Sequence, residues 1–241
     1  MNQTEDLICV LRCKGGLNAR DRYVYQGPKD CWLNFTLFCG NKACKFGCLG
    51  DGHCIKVCPV NAITMGKDHL PIIDPDKCNG CGICVKDCPK NVLELMPRSQ
   101  LIYLGCKSLD KGDVVKSPCK FGCTGCGICV DVCPYEGAIR MENNLPIINY
   151  EKCNSCGICF HKCPVNSFID RAIARPYGII SLKCDGCGEC VKVCQFDAIE
   201  GNLNNRHIII KERCIGCGRC FEVCPIRAIT MVGALGYTKV A

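Results

Sequence analysis

The stretch Cys123-Thr-Gly-Cys126-Gly-Ile-Cys129-Val-Asp-Val-Cys133 decides the fold of this chain, because it spaces four cysteines as C-x2-C-x2-C-x3-C. This spacing is the ligand pattern of cubane iron–sulfur clusters, in which three neighbouring thiolates bind one cluster and the fourth binds a partner cluster. The stretch therefore predicts a pair of clusters that exchange one ligand with a second run of the same kind.

The same spacing recurs elsewhere among the 30 cysteines of the 241-residue chain, so the sequence is an array of repeats. The other perfect runs are Cys78, Cys81, Cys84 and Cys88; Cys153, Cys156, Cys159 and Cys163; Cys184, Cys187, Cys190 and Cys194; and Cys214, Cys217, Cys220 and Cys224. Proline follows the last cysteine of every perfect run except one, where Gln195 stands instead. This exchange alters a turn without removing a ligand.

A constant separation groups the runs in pairs. The last cysteine of one run precedes the first of the next by 20 positions for Cys58 and Cys78, Cys133 and Cys153, and Cys194 and Cys214. The predicted fold class is therefore α+β, with tandem bacterial-type two-cluster ferredoxin modules that are small and built around their clusters. We expect an N-terminal segment at 1–43, then modules at 44–100, 101–180 and 181–241.

Ligand exchange within each module predicts which thiols share a cluster. The expected sets are Cys123, Cys126, Cys129 and Cys163; Cys153, Cys156, Cys159 and Cys133; Cys184, Cys187, Cys190 and Cys224; Cys214, Cys217, Cys220 and Cys194; and Cys78, Cys81, Cys84 and Cys58.

One run is altered. The segment CKFGCLGDGHC at 44–54 matches CKFGCTGCGIC at 119–129 at every cysteine except one, which is replaced by Asp51. Three completions are open: Cys44 binds the cluster, the Asp51 carboxylate binds iron, or one iron has no protein ligand. In the first, Cys44 joins the remaining thiols of this cluster, Cys48, Cys54 and Cys88. Thiolate is the softer and stronger iron ligand, which favours Cys44, although an aspartate here resembles archaeal ferredoxins whose cluster converts to a three-iron form.

Six cysteines then remain: Cys9, Cys13, Cys31, Cys39, Cys106 and Cys119. Four thiols are enough for one more centre, and we expect a seventh cluster held by Cys13, Cys31, Cys106 and Cys119. The alternative is that they are buried free thiols, which behave as small hydrophobic side chains. Cys9 and Cys39 are expected to be free.

A set of residues around these cysteines carries a family resemblance: Arg12-Cys13-Lys14-Gly15-Gly16, Asp30-Cys31, Gly40-Asn41-Lys42, the altered run at 44–54, and Asp110-Lys111-Gly112. Over roughly residues 9–165 the chain resembles the ferredoxin part of the B subunit of Rnf-type ferredoxin:NAD oxidoreductase complexes. The resemblance implies electron transfer between ferredoxin and a nicotinamide- or flavin-linked partner in anaerobic metabolism.

Two departures from that family shape the expectations. Its B subunits begin with a membrane-spanning helix and a separate four-cysteine domain, whereas this chain starts at Met1 with neither, and it adds a third module from about residue 181. No run approaches the ~20 apolar residues of a membrane helix. We therefore expect a cytoplasmic relative without a membrane span.

Charge argues against nucleic-acid binding. The formal charge of +7 treats every cysteine as neutral, but an oxidised cubane with four thiolates carries about 2−, so six clusters bring the loaded protein to about −5. There is also no Gly-rich dinucleotide fingerprint, P-loop or paired nucleophile and base. The chain is thus expected to be no enzyme on its own.

The sequence therefore predicts a polyferredoxin subunit that relays single electrons through six [4Fe-4S] clusters, or seven if the additional site binds one. Its expected partners are a catalytic oxidoreductase subunit, a flavin- or NAD-linked subunit and soluble ferredoxin. Three alternatives stay open: a free-standing shuttle ferredoxin, an enzyme with an open iron at the Asp51 run, and a zinc scaffold. Zinc sites usually set two C-x2-C pairs far apart, unlike these runs.

Overall fold

The computed structural model describes residues 6–233, 236 and 237, which form two compact units. The first unit comprises the residues up to 155 together with 159–170, and the second comprises 156–158 and the residues from 171 onward. The first unit holds most of the expected modules 1 and 2, and the second holds module 3. Residues 1–5, 234, 235 and 238–241, which belong to the expected first and last segments, lie outside the described residues.

Module 1 consists of a strand pair, a β-hairpin and short helices. Its strands are β1 (Leu7–Leu11), β2 (Ile63–Met65), β3 (Pro71–Ile73) and β4 (Leu93–Pro97), and its helices are α1 (Cys31–Thr36), α2 (His53–Lys56) and α3 (Ile83–Lys86). Strand β1 pairs antiparallel with β4, and β2 pairs antiparallel with β3. The segment expected at 1–43 therefore contributes a strand to module 1.

Module 2 repeats this plan. Its strands are β5 (Ile102–Leu104), β6 (Ile139–Glu142), β7 (Leu145–Ile148) and β8 (Phe168–Asp170), and its helices are α4 (Asp113–Lys116), α5 (Ile128–Asp131) and α6 (Ile158–Lys162). Strand β5 pairs antiparallel with β8, and β6 with β7. Each of the first two modules is thus closed by a strand that precedes its own ligand runs.

Module 3 has the same arrangement with one more strand pair. Its strands are β9 (Ala172–Ala174), β10 (Tyr177–Ile180), β11 (Ile199–Glu200), β12 (Ile208–Ile209), β13 (Ile229–Val232) and β14 (Gly236–Tyr237), and its helices are α7 (Glu189–Lys192) and α8 (Arg219–Val223). The antiparallel pairs are β10 with β13, β11 with β12, and β9 with β14. The closing strand β10 begins ahead of the expected boundary at 181.

A glycine in the left-handed conformation precedes the helical turn of every ligand run. Gly52, Gly82, Gly127, Gly157, Gly188 and Gly218 have φ between 75° and 86°. This conformation is costly for residues that carry a Cβ, so glycine is the residue that fits these positions. The turn directs the cysteines on its two sides into one cavity, as for Cys126 and Cys129.

Thiols form part of each hydrophobic core. In module 1 the buried side chains of Leu11, Ile63 and Val92 pack with Cys48 and Cys84. Module 2 repeats the pattern with Ile102, Ile139 and Phe168 around its own cysteines, and so does module 3 with Ile180, Ile199 and Ile229. The space between the strands and the helical turns is therefore lined by sulfur and branched aliphatic groups.

The first unit joins its two modules through their closing strand pairs. Ile8, Val10 and Met96 of the β1–β4 pair form a buried cluster with Tyr103 of β5 and Ile169 of β8. A cysteine follows shortly after the end of β1 and of β5.

Among the described residues, no helix is sufficiently long and apolar to cross a membrane.

Candidate metal centres

Three cavities are each lined by four cysteines in the grouping that ligand exchange predicts. Their thiols are Cys123, Cys126, Cys129 and Cys163 in the first unit, and Cys184, Cys187, Cys190 and Cys224, and Cys194, Cys214, Cys217 and Cys220 in the second. The cavities have volumes of about 310, 290 and 380 Å³, respectively. Each set takes three thiols from one run and the fourth from its partner run, as cubane binding by exchange requires.

The altered run lines a fourth cavity of about 340 Å³, which is similar in size to the other three. Its cysteines are Cys31, Cys48, Cys54 and Cys88. Burial raises the pKa of Cys31, while the backbone N–H groups of His53 and Asp51 hydrogen-bond to its sulfur and lower it. Cys31 thus lines the cavity in which the sequence analysis expected Cys44.

Helix α1 brings Cys31 to this cavity. Asp30 caps the helix by accepting hydrogen bonds from the backbone N–H of Trp32 at 2.9 Å and of Leu33 at 3.4 Å. Its other carboxylate oxygen lies 2.9 Å from His53 Nδ1. The hydrogen bond from His53, more than any other contact, lowers the pKa of Asp30. The cap therefore fastens the start of α1 to the altered run.

A second carboxylate contacts the same imidazole, so Asp30, His53 and Asp87 together form a clamp. Asp87 Oδ2 lies 2.8 Å from His53 Nε2, on the opposite side of the ring from Asp30. Burial opposes a charge on His53, but hydrogen bonds to both carboxylates and their negative charges together raise its pKa. Asp30, His53 and Asp87 immediately precede Cys31, Cys54 and Cys88, respectively. The imidazole therefore links the three chain segments that carry these cysteines.

Asp51 points to a different partner. Its carboxylate accepts a hydrogen bond from Asn34 Nδ2 at 2.7 Å, and burial raises its pKa. Asp51 is not among the residues that line the cavity, whereas Cys31 is. The Asp51 carboxylate is therefore hydrogen-bonded to Asn34, while four cysteines line the cavity.

A second thiol group contains three of the four cysteines expected in the seventh site. Burial, followed by the negative charges of Cys13, Cys106 and Cys119, raises the pKa of Cys44 to about 11. Cys44 thus interacts electrostatically with these three thiols, whereas Cys31, which was expected here, lines the cavity of the altered run.

The remaining two sets were expected to contain Cys58, Cys78, Cys81 and Cys84, and Cys133, Cys153, Cys156 and Cys159. Cys58, Cys78 and Cys84 belong to the core of module 1, and Cys81 is exposed. Burial raises the pKa of Cys133, and the negative charge of nearby Cys153 raises it further. The core of module 1 thus contains three thiols of the first set, and Cys133 and Cys153 of the second set interact electrostatically.

Cys9 adjoins a cluster site, which the ligand spacing did not indicate. The backbone N–H of Cys9 donates to Cys78 Sγ at 3.4 Å, and the sulfur atoms of Cys9 and Cys84 lie 3.5 Å apart. Cys39, the other cysteine expected to be free, is exposed. Alternation along a strand places Cys9 on the same face of β1 as Leu11, and both belong to the core of module 1.

Backbone amides repeatedly donate to the thiols that are exchanged between runs. The N–H four residues after the cysteine donates to its sulfur, at 3.2 to 3.4 Å, for Cys58, Cys163, Cys194 and Cys224. A hydrogen bond to sulfur favours the thiolate, which is the form that binds iron. Local chain geometry thus prepares these sulfurs as ligands.

The thiols surround volumes and do not converge on a point. Within the described part of the chain, no three side chains of Cys, His, Asp or Glu meet at a position that suits a single metal ion. A zinc site needs its thiolates about 2.3 Å from one ion, whereas the thiolates of a cubane bind different irons of one cluster. Cavities lined by four cysteines therefore fit [4Fe-4S] clusters and do not fit zinc.

Family models described as the 4Fe-4S dicluster domain match residues 43–92, 70–134, 122–168 and 178–231. Over 147 residues the chain is 40% identical to the B subunit of the Na(+)-translocating ferredoxin:NAD(+) oxidoreductase complex of Acetobacterium woodii, and the match covers 61% of this chain and 43% of that protein. It is 47% identical over 150 residues to the B subunit of the proton-translocating ferredoxin:NAD(+) oxidoreductase complex of Clostridium ljungdahlii, with coverage of 62% and 52%.

A third relative is the B subunit of the ion-translocating oxidoreductase complex of Methanosarcina acetivorans, which is 38% identical over 201 residues, with coverage of 83% of this chain and 64% of that protein. The chain spans about half the length of the first two relatives. These findings confirm the predicted resemblance and the fold class of tandem 4Fe-4S ferredoxin modules. The family models indicate that the chain holds several 4Fe-4S clusters.

Proposed function

We propose that this chain, a homologue of the B subunits of ferredoxin:NAD(+) oxidoreductase complexes, relays single electrons between a low-potential donor and a catalytic subunit. The observation that carries the proposal is a cavity lined by four cysteines, which occurs twice in each unit. A [4Fe-4S] cluster accepts and releases one electron at a time. Consecutive clusters within one chain therefore provide a path for electrons.

Six clusters follow from the runs. The proposed ligand sets are Cys31, Cys48, Cys54 and Cys88; Cys58, Cys78, Cys81 and Cys84; Cys123, Cys126, Cys129 and Cys163; Cys133, Cys153, Cys156 and Cys159; Cys184, Cys187, Cys190 and Cys224; and Cys194, Cys214, Cys217 and Cys220. Only the first set differs from the expectation, because Cys31 replaces Cys44. The domain organisation is three modules, each closed by the strand that precedes it.

The protein controls each centre through burial and hydrogen bonding. Burial raises the pKa of Cys54 to about 12 and that of Cys123 to about 11, so these thiolates are costly unless iron binds them. Backbone N–H groups offset part of this cost at the exchanged thiols. Burial, hydrogen bonds to sulfur and local charge are also the factors that set the reduction potential of a cluster.

The partners follow from the chemistry of the relay. An electron donor such as soluble ferredoxin is proposed to dock where a cluster ligand reaches the surface, and Cys81 and Cys126 are exposed ligands of modules 1 and 2. A catalytic oxidoreductase subunit, linked to flavin or NAD, carries out the bond chemistry. The proposed location is the cytoplasm, where reducing conditions keep cysteines free of disulfides.

The placement of Cys31 weighs against an enzyme with an open iron at the altered run. Four thiols line that cavity, and the Asp51 carboxylate hydrogen-bonds to Asn34. A cluster with four thiolate ligands has no iron position free for a substrate. Conduction is therefore better supported than catalysis at this site.

Iron and zinc content per chain, measured after purification without oxygen, tests the proposal. We expect at least about 24 iron atoms, corresponding to six cubanes, and no stoichiometric zinc. A visible absorption that fades when a low-potential reductant is added is the expected accompanying change. Zinc without iron would contradict the relay and support a structural scaffold.

A further inference from the structure

We propose that Cys13, Cys44, Cys106 and Cys119 bind a seventh [4Fe-4S] cluster, which connects modules 1 and 2 of the first unit. The inference rests on the proposed relay, because it adds a step to that path. Cys13, Cys106 and Cys119 are each 8% exposed, and all four cysteines are free of disulfides. Four thiols that are gathered in one place and form no disulfide are a set that can bind an iron–sulfur cluster.

The site has two matching halves. Cys13 Sγ accepts hydrogen bonds from the N–H of Gly15 and of Cys48, both at 3.4 Å. Cys106 Sγ accepts the equivalent bonds from Ser108 and Cys123, again both at 3.4 Å. In each half a cysteine that follows a closing strand receives one amide two residues later and one amide from a ligand run.

The other two ligands are also equivalent. Cys44 and Cys119 each begin the sequence Cys-Lys-Phe-Gly-Cys, and each lies four residues before a cysteine that lines a neighbouring cavity. Burial, followed by the charges of Cys13 and Cys106, raises the pKa of Cys119, as it does for Cys44. Two pairs of equivalent thiols therefore supply the four ligands that a cubane requires.

One segment of backbone holds these pairs together. The N–H of Arg20 donates to Pro118 O at 2.8 Å, and the N–H of Ala43 donates to Arg20 O at 2.8 Å. Residues around Arg20 thus pair with the chain before Cys119 on one side and before Cys44 on the other. This fixes the two cysteines although 75 positions separate them in the sequence.

Close packing at Gly15 completes the cradle. A Cβ added at Gly15 would lie 3.5 Å from Cys13 Sγ and 3.6 Å from Cys119 Sγ, and only 3.0 Å from Ala19 Cβ. The backbone at Gly15 therefore lies close to both sulfurs, and its tightest contact is with Ala19. Such backbone contact excludes water and delivers amide dipoles to the thiolates.

The hydrogen bonds also define the route for electrons. Cys48, a proposed ligand of the altered-run cluster, donates its N–H to Cys13 Sγ, and Cys123, a proposed ligand in module 2, donates its N–H to Cys106 Sγ. On either side, one hydrogen bond and the covalent bonds of one residue separate the proposed centre from the next. Electron transfer weakens steeply with distance, so this centre is placed to join the two modules.

Each step on this route moves one electron from a reduced centre to an oxidised neighbour, and no bond forms or breaks. The reductant is the low-potential donor of the proposed function, and the oxidant is the redox group of the catalytic partner. No proton or further reactant is needed for balance. The seventh centre therefore adds a conducting step and no new chemistry.

Pairs of alanine substitutions test the ligand set on the full chain purified without oxygen. We expect about 28 iron atoms in the wild type. The variant Cys13→Ala/Cys44→Ala removes two ligands of one centre, so it is expected to lose about four. The variant Cys13→Ala/Cys31→Ala damages two centres and is expected to lose more, up to about eight. Cys39→Ala, at an exposed thiol, is the control and keeps the wild-type content.

The outcomes separate this inference from the relay itself. About 24 iron atoms in both the wild type and Cys13→Ala/Cys44→Ala would overturn the seventh cluster and leave the relay intact. The reverse order of losses in the two double variants would overturn the ligand set. Protein with zinc and no iron would contradict the relay. The wild-type iron content does not depend on any variant, so poor folding of a variant leaves the first comparison valid.

Discussion

Asp30 Oδ2 lies 2.9 Å from His53 Nδ1, and this contact joins the residue before Cys31 to the residue before Cys54. Both cysteines line the cavity of the altered run, and Asp87 on the other side of the imidazole precedes Cys88. The clamp therefore holds Cys31 beside a run that lacks one of its own cysteines.

Substituting Asp30 by alanine is expected to loosen the first cluster. It removes the cap of α1, which is worth about 1 kcal/mol, and one carboxylate of the clamp. When a chelator is added, we expect the iron of one cluster, about four atoms, to leave the variant faster than it leaves the wild type. Asp113→Ala is the matched control, because the Asp113 side chain is 96% exposed in the first turn of α4. Equal release rates for Asp30→Ala and Asp113→Ala would argue against the clamp.

Because Cys31 is proposed to replace the missing cysteine of the altered run, restoring that cysteine should compensate for the loss of Cys31. Cys31→Ala is expected to lose one cluster, about four iron atoms. The double variant Cys31→Ala/Asp51→Cys restores a perfect run, because Asp51 aligns with Cys126, and it is expected to regain that iron. Asp51→Ala alone is expected to keep its iron, since the carboxylate hydrogen-bonds to Asn34. Iron loss in Asp51→Ala, with none in Cys31→Ala, would make the carboxylate the ligand.

Cys9 is expected to adjust a potential and not to bind iron. When Cys84 binds iron as a thiolate, the Cys9 thiol at 3.5 Å can only donate a hydrogen bond to it. Hydrogen bonds to sulfur stabilise the more negative, reduced cluster. Cys9→Ala is therefore predicted to keep its iron content and to lower the potential of one cluster, as measured by redox titration with electron paramagnetic resonance. An unchanged potential, or loss of about four iron atoms, would contradict this role.

The perfect runs allowed the fold class and three cavities to be predicted from the sequence alone. Ligand spacing within eleven residues, as in 78–88 or 123–133, specifies local geometry, because each run folds as the same turn and helix. The exchanged thiols follow from the fixed distance between paired runs. These features depend on residues that are near one another in the sequence.

Cys31 and Cys44 could not be assigned in that way. Cys44 is close in sequence to the altered run, and thiolate strength favoured it, but proximity along the chain did not decide the outcome. The position of Cys31 depends on contacts of Asp30 with His53, 23 residues away, which no local pattern shows. The internal repeat did contain a signal for Cys44, since it is equivalent to Cys119, which had already been assigned to the seventh site.

Removal of iron is expected to unfold the modules. The cores combine a few aliphatic side chains with the thiols themselves, so little apolar contact remains once the clusters are lost. Binding and folding are coupled in such sites. Chelation under reducing conditions should abolish the cooperative thermal transition measured by circular dichroism. A retained transition in iron-free protein would show that the chain folds without its clusters.

The number of electrons that each chain accepts tests the relay most directly. The measurement is an anaerobic titration of the purified chain with a low-potential reductant, followed by visible absorption and electron paramagnetic resonance. One electron per cluster predicts about six electrons for the proposed function and about seven with the additional centre. Protein that contains iron but accepts no electrons from the reductant would contradict electron transfer as the function of this chain.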